Sequence, residues 1–323
     1  MKNKFSILLV EEIDKAGMDI LKKAANLKIA SAVSEDILVK EIKDMDAVII
    51  RAVGKISAKI IESANKLKVI GRHGAGYDNV DVETATRHKI PVIYTPQANT
   101  ESVADHTIGL LIAVAKKIPQ AHHALTKKGD WFVRYTYIGT EIYGKTLGLI
   151  GLGKIGRAVA KRAKGFRMRI LAHDPFIPET VAQKLGVRLV DLNTLLKNSD
   201  FVSLHVPLTK ETQGLISKEE IEAMKDGAYL VNTSRGELVD ENAVYEALVK
   251  GKLAGAAFDV YAKEPPDPRN PLFKLGNVVA TPHMAAHTKE ALRRMAVNVA
   301  SDVVRVLKGS KPKYVANPEV YKI

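Results

Sequence analysis

The chain has 323 residues, 46% apolar and 26% charged, the size and balance of one or two ordinary soluble domains. It has no cysteine, which excludes disulfides, thiolate metal sites and cysteine nucleophiles and fits a reducing cytoplasm. A net charge of +13, from 49 basic and 36 acidic residues, leaves nucleic acid, small anions and a merely lysine-rich surface open.

The first apolar run, "FSILLV", stops against Glu11 and Glu12. It is too short for the apolar core of a signal peptide and reads as a buried strand. No run approaches the roughly 18 apolar residues of a membrane span, so no membrane partner is expected. "FSILLV", "LKIA", "DAVII", "LKVIG" and "PVIY" read as five strands before residue 95, with "DKAGMDILKKA" and "EDILVKEIK" as amphipathic helices among them. Strands alternating with helices imply parallel strands joined by crossover helices.

A long helical pattern follows, "TESVADHTIGLLIAVAKKI", which Pro119 is expected to end. An irregular basic stretch comes next, "KKGDWFVRYTYIGTEIYG". A second strand series then runs "KTLGLIG", "RMRILAHD", "GVRLV", "DFVSLHV", "GAYLVNT", "LAGAAFDV" and "NVVATP". Ser217 to Glu220, "SKEE", has the form of a capping box opening a helix. The last helical pattern, "HTKEALRRMAVNVASDVVRVLKG", is expected to return to the first α/β unit. That gives one domain over 1–99 plus 288–323 and another over 100–287. In "GKIGRAVAKRAKGFRMR", Lys154, Arg157, Lys161 and Lys164 recur at helical spacing as a solvated face. No nucleic-acid motif accompanies them, so no nucleic-acid partner is expected. His122 and His123 belong on an exposed helix, and the remaining histidines are too scattered for a metal site.

"KTLGLIGLGKIGRAVAKRA" contains Gly151-x-Gly153-x-x-Gly156 between a strand pattern and a helix pattern. In that context each glycine meets a separate backbone demand. Gly151 allows a tight turn, Gly153 close approach to a pyrophosphate, and Gly156 close packing of helix on strand. The helix N-terminus offers a partial positive charge to the phosphates. Asp174 ends the next strand, 18 residues past Gly156, where an acceptor meets the ribose 2′-hydroxyl. No arginine follows it, so the expected cofactor is NAD rather than NADP.

Three ionisable residues fall just past later strands: Arg235 in "NTSRGELVD", Glu264 in "FDVYAKEPP" and His283 in "TPHMAAHT". Alone, each has an ordinary loop reading. Beside a nicotinamide they form a set. An arginine fork holds a carboxylate at two points. A histidine, with its unperturbed pKa of about 6.5, exchanges protons near neutrality. A glutamate bonded to that ring orients it and favours the imidazolium. Hydride transfer to a 2-keto acid needs these three functions.

The stretches "GRHGAGYDNVD", "NTESVADHTIGL", "GKTLGLIGLGKIG", "HVPLTKETQGLI", "NTSRGELVD", "AAFDVYAKEPP" and "TPHMAAHT" together resemble the D-isomer-specific 2-hydroxyacid dehydrogenase family along nearly the whole chain. The resemblance implies two doubly wound parallel-sheet domains, a Rossmann NAD-binding domain inserted in a flavodoxin-like substrate domain, with a cleft between them. It implies Arg235, Glu264 and His283 as the catalytic set, and His287 as a helix-start residue without a proton role. It places Lys154 and Ile155 on the pyrophosphate, Pro207 and Thr212 at the adenosine side, Thr233 and Asp259 near the nicotinamide, and the backbone of Ala75 and Gly76 on the substrate carboxylate. Asn99 falls near the domain joint, with a helix N-cap as the equal alternative.

Within the family the likeness is greatest to the phosphoglycerate-oxidising branch. Its phosphorylated 2-hydroxy acid needs further cations. Arg51, Arg72 and Arg134 are available, each with an ordinary surface arginine as the alternative. Members that oxidise phosphoglycerate often carry further C-terminal domains that bind serine. The chain ends at Ile323, so serine feedback through such a domain is not expected. Reduction of hydroxypyruvate or glyoxylate stays open, as does a role in sensing NAD(H) without turnover. A homodimer through the segment around 100–145 is implied, and a cytoplasmic location.

Overall fold

The computed structural model describes residues 5–322, which fall into two compact units. One runs to Asn99 and resumes at His287; the other is Thr100–Ala286.

The first unit is built on strands β1 (Phe5–Leu9), β2 (Ala25–Ile29), β3 (Ala47–Ile50), β4 (Val69–Arg72) and β5 (Val92–Ile93). They form a parallel sheet in the order β2-β1-β3-β4-β5, the flavodoxin-like order. Helices α1 (Lys15–Ala24), α2 (Glu35–Glu41), α3 (Ala58–Glu62) and α4 (Val82–Arg87) connect them. Asp14 and Asp81 cap α1 and α4 by accepting backbone N–H groups, which satisfies donors the first turn leaves free. All four residues of β3, "AVII", are buried, because a parallel strand covered on both faces has no polar side to show.

The second unit carries β6 (Thr146–Ile150), β7 (Arg169–His173), β8 (Arg188–Leu189), β9 (Phe201–Leu204), β10 (Ala228–Asn232), β11 (Leu253–Phe258) and β12 (Val278–Ala280). All pair in parallel in the order β12-β11-β10-β9-β6-β7-β8. The chain winds outward one way from β6 through β7 and β8, then the other way from β9. The switch point is therefore the β6–β9 boundary, where doubly wound sheets open a crevice at their strand C-termini. Its helices are α5 (Thr100–Lys116), α6 (Ile118–Lys128), α7 (Lys154–Gly165), α8 (Glu179–Lys184), α9 (Leu192–Asn198), α10 (Lys218–Ala223) and α11 (Glu241–Val249). The buried side chains of α5 include Val103, Ile108, Leu110, Leu111 and Val114, each contributing about 1.5–3 kcal/mol by burial. The expected capping box is present at the start of α10: Glu220 accepts the Ser217 backbone N–H at 3.0 Å.

One expectation fails. Pro119 begins a helix rather than simply ending one. The break falls at Lys117, which is left-handed at φ 54°, and α6 starts one residue later with Pro119 in its first turn. Proline is tolerated there because the N–H it lacks would have no helical partner anyway.

The final helix, α12 (Lys289–Leu307), is capped by Thr288, so His287 lies just outside it. Its Ala296, Val299, Ala300 and Val303 pack with Ile7, Leu9, Ile49 and Val69 in the first unit's core.

Candidate active site

The glycine loop leaves β6 at Gly151, whose φ of +97° suits glycine. A Cβ on Gly156 would lie 2.2 Å from the Gly151 carbonyl oxygen, so α7 and the loop approach as only glycine permits. Around Gly153 there is open space: a Cβ would meet nothing within 4 Å. Asp174, past β7, braces the loop. Its Oδ2 accepts the Leu152 N–H at 2.8 Å and its Oδ1 the Phe176 N–H at 3.0 Å. Arg157 braces it from below, Nε donating to the Leu152 carbonyl at 2.8 Å; the sequence showed that arginine only as part of a basic face. An open backbone at the turn, a helix N-terminus behind it and an acceptor past the next strand are what a dinucleotide requires. Lys154 is exposed and Ile155 half-buried at the start of α7. Pro207 and Thr212 share one exposed loop, the threonine hydroxyl donating to the Pro207 carbonyl at 2.7 Å.

Arg235, Glu264 and His283 follow β10, β11 and β12, three neighbouring strands on the far side of the switch point from Asp174. His283 Nδ1 lies 2.6 Å from Glu264 Oε2, and Glu264 Oε1 accepts the Tyr261 N–H at 3.1 Å. Burial would raise the Glu264 carboxyl, but the bond and charge of His283, the Tyr261 N–H and the Arg235 charge outweigh it and hold it below the usual value. Arg235 donates from Nη1 to the Ser234 carbonyl at 2.7 Å, and Asn232 holds the Arg235 carbonyl at 2.7 Å. The following Gly236 brings this loop against the next: a Cβ there would stand 1.8 Å from the Tyr261 carbonyl carbon. That glycine was legible only as part of "SRGE".

The turn holding His283 hangs on Asp259. This side chain is fully buried, and it accepts from the Thr281 hydroxyl at 2.6 Å, the Met284 N–H at 2.9 Å and the Ala285 N–H at 2.8 Å. Burial would raise its pKa; bonds from His106, Thr281 and the two amides hold it low, so it is ionised. Asp259 therefore faces the 281–285 turn, with its acceptor capacity used inside the protein. Thr233 is also buried, its hydroxyl 2.8 Å from that of Thr107. His106, Tyr261 and Thr281 were not singled out from the sequence. The Thr281 contact follows from the strand register: Phe258 pairs with Ala280, so the residues after each, Asp259 and Thr281, are neighbours across parallel strands.

Arg51, Ala75 and Gly76 belong to the first unit, after β3 and β4. Arg51 donates to the Glu12 carbonyl at 2.8 Å, and Asn79 joins the two loops, donating to the Arg51 carbonyl and accepting from Arg72 Nε, both at 3.0 Å. Next to them His73 is buried and its pKa falls to about 4, through burial first and then the charges of Arg51 and Arg72. Asn99 does not cap α5 with its side chain; its buried Oδ1 has no hydrogen-bond partner. Arg134 stacks over Trp131 and Tyr135, 5.6 and 5.5 Å from the ring centroids. Among the described residues no group of three or more metal-ligating side chains forms, and no helix is long and apolar enough to cross a membrane.

A glycine loop at the switch point, with an arginine and a histidine–glutamate pair on the neighbouring strand ends, describes a nicotinamide-dependent oxidoreductase. Residues 108–285 match the D-isomer specific 2-hydroxyacid dehydrogenase, NAD binding domain, and the chain belongs to that family. It is 46% identical over 304 residues to the D-3-phosphoglycerate dehydrogenase of Archaeoglobus fulgidus, covering 94% of this chain and 57% of that enzyme. The chain thus spans little more than half the length of that relative. It is 44% identical over 307 residues to the hydroxypyruvate reductase of Thermotoga maritima, covering 94% of this chain and 99% of that one. The crystal structure of the TT0316 protein from Thermus thermophilus superimposes with a TM-score of 0.90 at 36% identity, covering 97% of this chain and all of that one.

Proposed function

We propose that the chain is an NAD-dependent D-2-hydroxyacid dehydrogenase that interconverts D-3-phosphoglycerate and 3-phosphohydroxypyruvate, a step toward serine. The observation that carries the chemistry is the 2.6 Å pair of His283 and Glu264 beside Arg235, on the sheet whose glycine loop fits a dinucleotide.

Bound NAD supplies the hydride acceptor, and NADH the donor. Gly151, Gly153, Lys154, Ile155 and Gly156 hold the pyrophosphate and Asp174 the adenosine ribose, with Pro207 and Thr212 along the adenosine side. Thr233 and Asp259 shape the nicotinamide end, the latter through the turn it supports. Arg235 binds the substrate carboxylate and fixes its orientation. His283 moves the proton at Nε2, since its Nδ1 is held by Glu264. In oxidation it takes the hydroxyl proton; in reduction it protonates the developing alkoxide. The family resemblance adds Arg51, Ala75 and Gly76 to the substrate contacts. Arg51 and Arg72 are the cations assigned to the phosphate of such a substrate; His73 beside them is lowered by burial first and then by their charges.

The chain is proposed to act in the cytoplasm and as a homodimer, the latter supported by the exposed Trp131, Phe132, Tyr135 and Ile138 of the irregular arm. The second reading, reduction of hydroxypyruvate or glyoxylate, is favoured by the 44% identity to a hydroxypyruvate reductase.

The test is NADH oxidation, followed by absorbance, with phosphohydroxypyruvate, hydroxypyruvate and glyoxylate in parallel. A clear preference in kcat/KM for the phosphorylated acid supports the proposal. Preference for an unphosphorylated acid retains the family chemistry and moves the substrate. NADH binding without turnover of any of them overturns the enzymatic reading in favour of a binding protein.

A further inference from the structure

We propose that His106 is a positioning residue for His283, acting through Asp259 and Thr281. The inference rests on the dehydrogenase reading for its kinetic consequence and on geometry alone for its structural one.

His106 sits on α5, its side chain 22% exposed, with Nε2 at 3.0 Å from Thr281 Oγ1 and 3.4 Å from Asp259 Oδ1. The proton positions follow from counting. The Thr281 hydroxyl has one proton and directs it to Asp259 Oδ1 at 2.6 Å. The ring nitrogen facing that hydroxyl must therefore be the donor, so His106 carries its proton on Nε2. Its N–H reaches the two groups from which the following turn is suspended.

That turn is short and tightly held. Asp259 takes the N–H groups of Met284 and Ala285 on its carboxylate, and the N–H of His283 on its carbonyl at 2.7 Å. His283 itself has φ +49°, a left-handed conformation uncommon for residues other than glycine. Such a backbone persists where its surroundings over-determine it. A buried carboxylate accepting from a hydroxyl and two amides still carries a full negative charge in a dry place. The imidazole N–H of His106 is the ionisable donor set against it. Without that donor, Asp259 loses part of what keeps it ionised and fixed, and the turn loses its anchor. The ring of His283 stays bonded to Glu264, but its backbone is no longer held to one position.

A purely space-filling His106, packed between α5 and β12, makes a different forecast. Leucine would then serve as well as histidine, and the length of a polar replacement would not matter.

The experiment uses the full chain with His106→Leu, His106→Gln and His106→Asn. Glutamine carries an amide N–H at about the reach of Nε2, and asparagine falls short of it. Two readouts are taken: amide hydrogen exchange at Met284 and Ala285 without any ligand, and kcat with KM for NADH. In His106→Leu, exchange at those two amides is expected to quicken about tenfold or more while Leu147 and Leu149 in β6 keep their protection. kcat is expected to fall about tenfold, with KM for NADH within about twofold. His106→Gln restores most of both, and His106→Asn does not. Unchanged exchange and kcat in His106→Leu overturn the proposal. If His106→Leu does not fold, equal exchange and equal kcat in the glutamine and asparagine variants overturn it instead. A wild-type chain inactive on every 2-keto acid counts against the dehydrogenase reading, and the exchange contrast still decides the role of His106.

Discussion

Replacing Glu264 by glutamine tests the proton-transfer machinery with the smallest change of shape. Glu264 uses both oxygens as acceptors, one toward the Tyr261 N–H at 3.1 Å and one toward His283 Nδ1 at 2.6 Å. Glutamine has one oxygen and an NH2 group. With the oxygen on the Tyr261 N–H, the NH2 group faces His283 Nδ1 and can only donate to it, so the ring must offer a lone pair there. The substitution therefore removes a charge-assisted bond and reverses the polarity of the contact. Hydrogen bonds to charged groups contribute roughly 1.5–3 kcal/mol. The His283 and Glu264 side chains are 46% and 36% exposed, which places the loss at the lower end through solvent screening. About 1.5 kcal/mol is about a tenfold fall in kcat/KM for the keto acid. Burial would raise the Glu264 carboxyl, but the bond and charge of His283 help hold it below its ordinary value, so in wild type the pair is lost only as pH falls through that lowered value. Glutamine has no proton to take up there, so the acid limb of the keto-acid reduction profile is expected to flatten in Glu264→Gln. The assay is kcat/KM for NADH-dependent reduction across pH, in wild type and Glu264→Gln. A variant with undiminished activity and an unchanged acid limb would refute the coupling of the two residues.

In Gly156→Ala, the added methyl group meets the Gly151 carbonyl oxygen at 2.2 Å, an overpacking that costs roughly 1–3 kcal/mol. A lowered Tm and loss of NADH binding by fluorescence titration are expected; an unchanged titration would show that the loop does not hold the cofactor. Acid stability supplies another check, because burial and the charges of Arg51 and Arg72 bring His73 from 6.5 to about 4. The unfolded chain then binds the extra proton first, so the contribution is complete above about pH 6.5 and is lost as pH falls toward 4, by roughly 3 kcal/mol. His205 is lowered to about 4 by burial and acts in the same direction. Urea midpoints should fall over this window in wild type and fall less in His73→Gln; parallel curves would remove His73 from the account.

The strands were legible because a parallel sheet covered on both faces leaves continuous apolar runs, as in "AVII" of β3 and "TLGLI" of β6, all buried. The glycine loop was legible because its spacing encodes three separate backbone demands. The start of α6 was not, although His122 and His123 were expected on an exposed helix: of "IPQAHHALTKK" only Ala124 is buried, so no apolar period marks its bounds, and its proline is read as easily as an end as a beginning. The Asp259 clamp was hidden for another reason. Asp259 was placed near the nicotinamide by resemblance alone, with nothing to mark its bonds inside the protein, and its partner His106 is 175 residues from Thr281. Contacts of that range depend on how α5 lies on the sheet, which neither periodicity nor local motif expresses.

The backbone of His283 makes the same point from the side of energy. Among the described residues, four besides glycines have positive φ: Lys89, Lys117, Arg167 and His283. The first three lie at helix ends, after α4, α5 and α7, where a left-handed residue is a common way to stop a helix. His283 follows a strand and stops no helix. The conformation costs of order 1–3 kcal/mol, and glycine would avoid that cost. Glycine, however, has no ring to set 2.6 Å from Glu264. The left-handed turn is held by bonds to Asp259 from the backbone on both sides of its own side chain, through the N–H of His283 and the N–H groups of Met284 and Ala285. Strain at a residue that terminates nothing, offset by a buried carboxylate with no surface role, is accounted for by the direction in which this turn presents an imidazole.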